Sequence, residues 1–335
     1  MAKTVGIDLG TANTLICMKG SGIVVRSPSV VAINRDNREI IAQGAEAKRM
    51  MGKTPVGILA FRPIKDGVIT DADVTSGMLR NYLSSIGAIS TFSRPYVIAS
   101  IPYGVTEVER QALESAAFYA GARKVALIDE PLAAALGTGL NVGGPKGTMM
   151  VDIGGGTTEV AVISMGGIVT SKSIRIAGDE LDAAIMEYIR LTRSVQIGVS
   201  TAEELKIRIG SAHKEIDRGS LTVSGMSLLR RKGVTIEVSS DEVREAIKEP
   251  LDEIISTIKQ ALEQTPPEIS SDLYDIGIAL TGGGALIPGI ARLIFEKTGM
   301  KVRIAQRPME SVCRGIYRVI EHAAELEGFL RYRER

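Results

Sequence analysis

The chain has 335 residues, 44% of them hydrophobic, and its 40 basic and 39 acidic side chains leave a formal charge of +1. That length and apolar content suffice for two domains with their own cores, which excludes disorder as the default, and the balanced charge excludes a global field that recruits nucleic acid. Two cysteines, Cys17 and Cys313, and two histidines, His213 and His322, stand singly without metal-ligand spacing; a reducing compartment is expected, and neither a disulfide framework nor a zinc site is.

The chain reaches an acid at Asp8 after a very short apolar start, unlike a signal peptide. No uninterrupted apolar run approaches membrane-spanning length, so a cytosolic protein is expected, at most touching a membrane from outside. "TVGIDLG", "NTLICMKG" and "GIVVRSPSVVAI" then alternate β-branched runs with Gly turns and predict a three-stranded meander. Residues 32–66 or so carry more charge and break the strand rhythm, as an insertion does. Strands recur at "RPYVIASIP" and "KVALID", and "GLNVGGPKGT", residues 139–148, reads as a hinge.

Beyond it, "GTMMVDIGG" and "VAVIS" repeat the strand-rich opening, and residues 178–240 form a second insertion-like stretch. Leu181, Ala184, Ile185, Tyr188 and Ile189 follow helical spacing, as do Leu251, Ile254, Ile255, Ile258 and Leu262. A last strand is predicted at "IGIALTGGG". Asp8 of "VGIDLGTANT" and Asp152 of "VDIGGGTTEV" stand 144 residues apart, which predicts two similar α/β lobes related by duplication.

A strand ending in Asp, then a Gly turn and Thr, presents backbone N–H groups and hydroxyls beside a carboxylate. These groups suit phosphate oxygens and a hydrated Mg²⁺. One such motif alone is more simply a tight hairpin whose glycines allow positive φ; two copies at matching places predict one nucleotide cleft seen from two sides. Other phosphate signatures fail: "MGKTP" lacks the first glycine of a Walker loop at Ala47, and "GSGIVV" and "GTGLNV" lack the third glycine of a dinucleotide fingerprint at Val25 and Val142. In "ALTGGGALIPG", Gly282, Gly283 and Gly284 suit the close approach of a base or ribose, or an ordinary strand-to-helix turn.

"DLGTANT", "IDEPLAAALG", "DIGGGTTEV", "IAGDELDAAI" and "LTGGGALIPG", in this order, resemble the five motifs of the ATPase fold shared by actin, heat-shock chaperones and sugar kinases. "SPSVVAI", "RPIKDGVI", "SIRIAGDELD" and "TPPE" narrow the resemblance to the bacterial actin MreB family with its Mbl-type paralogues, over nearly the whole chain. It implies an actin-like fold of duplicated ribonuclease H-like lobes. The first lobe core would hold residues 1–32, 66–145 and 311–335 with an insertion at 33–65, and the second 146–177 and 241–310 with an insertion at 178–240.

The resemblance also implies roles within a site for ATP and Mg²⁺. Asp8 and Asp152 would hold Mg²⁺ through water. Gly10, Thr11, Ala12 and Asn13, with Gly154, Gly155, Gly156, Thr157 and Thr158, would bind the β- and γ-phosphates. Glu130 would orient or deprotonate the attacking water, with the Thr157 hydroxyl beside it. Gly178, Asp179, Glu203 and Lys206 would face ribose and adenine, with Gly282, Gly283, Gly284 and Ala285 closing the base side. Glu203 and Lys206, three apart on one helical face, equally suit a solvent-facing ion pair. Leu15 stands where eukaryotic actin has a phosphate-binding lysine, which leaves phosphate neutralisation to backbone N–H groups and Mg²⁺.

The partners implied are further copies of the chain in a head-to-tail filament, the inner face of the cell membrane and the cell-wall elongation machinery. "MAKTVGID" leaves no room for an amphipathic helix before the first strand, so "SSIGAISTFSRP" is the candidate membrane loop, with Ile86, Ile89, Phe92 and Arg94; the alternative is that its apolar residues pack in the lobe core. A soluble chaperone-like or kinase-like ATPase is the competing function. The first would continue into a peptide-binding module after residue 335, and the second needs a sugar-facing acid that no motif supplies.

Overall fold

The computed structural model describes residues 3–90 and 93–332. Two open sheets share one plan. In the first the strands lie in the order Arg331–Tyr332, Lys124–Asp129, Tyr96–Ile101, Thr4–Leu9, Asn13–Met18, Gly22–Pro28. In the second the order is Gly167–Ile174, Thr158–Ser164, Thr148–Ile153, Ile278–Thr281, Val302–Ile304. Thr4–Leu9 pairs antiparallel with Asn13–Met18 and parallel with Tyr96–Ile101; Thr148–Ile153 does the same with Thr158–Ser164 and Ile278–Thr281. The duplication read from the two Asp-Gly motifs is therefore a duplication of topology.

The central strands are apolar nearly throughout because both faces are covered. On the outer face of the first sheet, Val5, Ile7, Val97 and Leu127 pack against Val74, Met78 and Leu83 of the helix Ala72–Ser85 and Leu113 of the helix Glu107–Tyr119. In the second lobe Met149, Val151, Val160 and Val162 meet Leu181 and Ile185 of the helix Gly178–Arg193 and Leu251, Ile254 and Ile258 of the helix Ser240–Glu263. That last helix, legible from Leu251 onward, starts earlier at a Ser239–Glu242 capping box and runs on through Pro250.

A third core joins the lobes. The inner faces contribute Leu15, Cys17 and Ile98 from one sheet and Met150, Ala161 and Ile163 from the other, around the helices Glu130–Thr138 and Ser311–Glu321. Alternation along a strand puts Asp8, Asp152 and Glu159 on the same inner faces as Leu15, at the strand ends beyond that core. Cys17 and Cys313 are both buried and free; remote in sequence, they meet here, with the Cys17 Sγ 3.6 Å from the Cys313 carbonyl oxygen.

The expected meander holds for three strands, but the run "GIVVRSPSVVAI" is cut. Pro28 has no N–H to extend a ladder and ends the third strand. The Ser29 N–H donates to the Ala12 carbonyl, and Val31–Asn34 joins a separate sheet with Ile40–Gln43 and Ile58–Phe61. In the candidate membrane loop, Ile86 and Ile89 are partly buried against the first-lobe core, and a methyl group on Gly121 would come within 2.9 Å of Ile89. Arg94 is exposed, and Phe92 lies outside the described residues. No helix among the described residues is long and apolar enough to cross a membrane.

Candidate nucleotide cleft

The two hairpins close with the same turn. The Gly10 N–H donates to the Asn13 carbonyl at 3.1 Å, and the Gly154 N–H to the Thr157 carbonyl at 2.9 Å. The turns face one another across a cleft of about 380 Å³ between the lobes. Their approach explains the glycines: a Cβ on Gly155 would lie 2.7 Å from the Ala12 Cβ, and one on Gly156 would lie 2.9 Å from both the Asp66 amide nitrogen and the Thr11 hydroxyl.

The cleft gathers most of the expected residues. Asp8 and Asp152 line it, and the loops 10–13 and 154–157 form the end expected to take the phosphates. Gly178 and Asp179 open the helix Gly178–Arg193, whose first amides donate to the Gly154 and Gly155 carbonyls. Glu203 and Lys206 come from the helix Val199–Ile209, and Gly282–Gly284 from the turn after Ile278–Thr281. Gly282 has φ of 82°, and a Cβ there would collide with the Asp152 carboxylate. Two expected residues do not line the cleft. The Thr158 hydroxyl is buried and donates to the Ile176 carbonyl at 2.6 Å, because it follows Thr157 and points the other way; Ala285 is buried beneath the turn Gly284–Leu286.

Glu203 and Lys206 do not pair with each other. Lys206 reaches Asp182 at 2.8 Å and the Gly178 carbonyl at 2.6 Å, while Glu203 pairs across the cleft mouth with Lys48 at 2.8 Å. Arg62, also from the first lobe, binds both carboxylate oxygens of Asp179 at 2.5 and 2.6 Å. At the phosphate end, the Asp66-Gly67 turn of a short hairpin donates the Gly67 N–H to the Thr11 hydroxyl at 3.0 Å. Lys48, Arg62, Gly67, Asp182 and Glu159 have no role in the motif reading. Arg62 and Gly67 lie inside the quoted "RPIKDGVI", and Glu159 inside "DIGGGTTEV", directly opposite Asp152 in register.

The floor is a concentration of carboxyl groups deep among protein atoms. Burial and the facing Asp152 raise the Asp8 pKa to about 7, partly offset by the Ser100 hydroxyl donating to it at 3.3 Å. Burial alone raises Asp152 to about 7. Glu130, the first residue of its helix, is held well above its ordinary range by burial and then by Glu159, Asp8 and Asp152. Burial and Asp152 do the same to Glu159, partly offset by the Tyr103 backbone N–H. The chemistry of this donor set fits a divalent cation. Among the described residues no three His, Cys, Asp or Glu side chains converge to hold a metal directly; Asp8 and Asp152 are the residues that would hold a hydrated divalent cation, whose charge would offset theirs.

Raised carboxyl pKa values have a sign. Between the ordinary carboxylate range and about 7 the folded chain binds more protons than the unfolded one, so their contribution to stability is present in acid and lost as pH rises through about 7. The nucleotide-free chain without divalent cations is expected to melt lower at pH 8 than at pH 6, and Mg-ADP to flatten that slope. Equal melting temperatures at the two pH values, read by calorimetry, would contradict the clustered-carboxylate floor.

The MreB/Mbl protein family profile matches residues 2–328. The chain is 47% identical to the cell shape-determining protein MreB of Escherichia coli (strain K12), over 96% of this chain and 94% of that one. It is 44% identical to the cell shape-determining protein Mbl of Bacillus subtilis (strain 168), over 94% of each. Its structure is similar to MreB 5 of Spiroplasma citri bound to AMPPNP, with a TM-score of 0.93 and 35% identity over 98% of both chains, and to the same protein bound to ADP, with a TM-score of 0.91 and 36% identity over 97% of this chain and 99% of that one. The subunit of the MamK double helical filament shares the fold, with a TM-score of 0.79 at 22% identity over 96% of this chain and 99% of that one. The fold is the expected α/β actin-like one, and the chain belongs to the MreB/Mbl family.

Proposed function

We propose that this chain binds ATP with Mg²⁺ in the inter-lobe cleft, hydrolyses it, and uses the nucleotide state to time its own assembly into filaments at the inner face of the cell membrane. Membership of the MreB/Mbl family makes it an actin-like, nucleotide-binding cytoskeletal protein of cell-shape determination. The observation that carries the finer reading is the meeting of the two Asp-tipped turns, Gly10–Asn13 and Gly154–Thr157, in one cleft. Phosphates clamped between them tie the lobes together, so nucleotide state and lobe closure are one equilibrium.

In this reading Glu130 takes the proton of the attacking water and Thr157 helps to place it. Asp8 and Asp152 hold the cation, Gly178, Asp179, Glu203 and Lys206 face the ribose and adenine, and the Lys48–Glu203 and Arg62–Asp179 pairs close the mouth. The relatives named MreB and Mbl determine cell shape, and by that likeness the cell-wall elongation machinery is the proposed downstream partner.

The test is electron microscopy of the purified chain on an anionic lipid monolayer, with Mg-ATP and without nucleotide. Ordered filaments on lipid are expected with Mg-ATP. Dispersed monomers over a range of concentrations and salts would overturn the filament assignment and leave a soluble ATPase.

A further inference from the structure

Glu159 is 3% exposed, and neither of its carboxylate oxygens makes a close hydrogen bond; the Tyr103 backbone N–H is the one group that favours its charged form, and burial outweighs it. It stands directly opposite Asp152 in the hairpin, so two acidic side chains project from the same face into the same cleft. Like charges directly opposite each other weaken a strand pair, and desolvation of a buried carboxyl group weakens the folded chain further. The Tyr103 N–H offsets this only in part, since the Glu159 pKa stays well above its ordinary range.

The duplicated lobe supplies an internal control. The offset that relates Asp8 to Asp152 relates Leu15 to Glu159, and Leu15 is opposite Asp8 in the matching hairpin, 6% exposed and also at the cleft. The fold thus accepts an apolar side chain at this register. A carboxyl group in the second lobe is not required by packing, and it lines the same cleft as Glu130. Glu159 is also the charge that acts most strongly on Glu130.

We propose that Glu159 is a second catalytic carboxyl group for hydrolysis, accepting one O–H of the attacking water and holding it in line while Glu130 removes the other proton. The water oxygen forms its bond to the γ-phosphorus. The bond from that phosphorus to the β–γ bridging oxygen breaks, and its electron pair stays on the ADP oxygen. The proton leaves on Glu130 and passes to phosphate or bulk water. Two fixed acceptors define the direction of the water's lone pair, which one acceptor does not. This assignment rests on the ATPase reading above.

The test uses the full chain with Glu130 intact and two variants, Glu159→Leu, which installs the residue of the other lobe, and Glu159→Gln, which keeps shape and one acceptor. Three quantities are read: single-turnover phosphate release, Mg-ATP affinity, and the melting temperature of the nucleotide-free chain. For Glu159→Leu, release is expected to fall about 100-fold, with affinity within about threefold of the parent and a melting temperature that rises, since a desolvated carboxyl group facing Asp152 is gone. Glu159→Gln is expected to lie between Leu and the parent in rate.

Unchanged release in both variants overturns the assignment, as does a joint loss of affinity and melting temperature, which marks a structural role. A Leu variant that does not fold leaves the Gln variant to decide on the same readings. A parent chain that binds Mg-ATP and never releases phosphate overturns the ATPase reading itself, and this inference with it.

Discussion

Glu130→Ala is expected to bind Mg-ATP at least as tightly as the parent and to release phosphate about 10² to 10⁴ times more slowly, the range by which a positioned acid or base accelerates a reaction. The two halves of that expectation have separate causes. Binding survives because the loops 10–13 and 154–157, the aspartates and the Lys206 side of the cleft are untouched, and because one carboxyl group fewer, of those crowded with Asp8, Asp152 and Glu159, faces an incoming polyanion. Hydrolysis fails because phosphoryl transfer depends on positioning and electrostatics, and Glu130 is the carboxyl group that the helix Glu130–Thr138 delivers to the phosphate end from between the lobes. Filaments of the variant should persist in Mg-ATP where those of the parent turn over. Phosphate release at the parental rate would remove Glu130 from the mechanism.

What the sequence made legible and what it hid divide on a physical line. The two turns could be read because everything that shapes them is local: a strand, an Asp at its inward-facing end, glycines where the opposite loop approaches. Helices with unbroken apolar spacing, such as residues 181–189, were legible for the same reason. Glu159 was in plain view inside "DIGGGTTEV", yet its meaning depends on register: only pairing opposite Asp152 aims it into the cleft. Lys48 and Arg62 reach partners in the other lobe more than a hundred residues away, contacts that no spacing within an insertion encodes. Thr158 was misplaced by one residue of alternation, since a hydroxyl beside Thr157 need not share its face. The split at Pro28 was visible as a proline and missed as a change of sheet, because the apolar run continues across it.

The second large effect is expected far from any charged group. Gly315→Ala should destabilise the chain by about 3 kcal/mol, the upper limit of the usual range for overpacking a filled core. The helices Glu130–Thr138 and Ser311–Glu321 touch backbone to backbone at two points, each made by a glycine. A Cβ on Gly315 would stand 1.7 Å from the Ala133 carbonyl oxygen, and one on Gly137 would stand 1.8 Å from that of Ser311. The obstructing atoms are main chain, so no side-chain rotation relieves the clash and one helix must move bodily. These helices form the core that joins the lobes, and Glu130 is the first residue of one of them, so the displacement reaches the phosphate end. Mg-ATP affinity is expected to fall with stability, unlike in the Glu130 variant. Gly143→Ala is the control: that residue sits in the hinge-like stretch with nothing within 4 Å of the added methyl, and its melting temperature should match the parent's. Matching melting temperatures for Gly315→Ala and the parent would mean that the two helices have room to separate, and that the lobes are not held at the spacing on which the cleft depends.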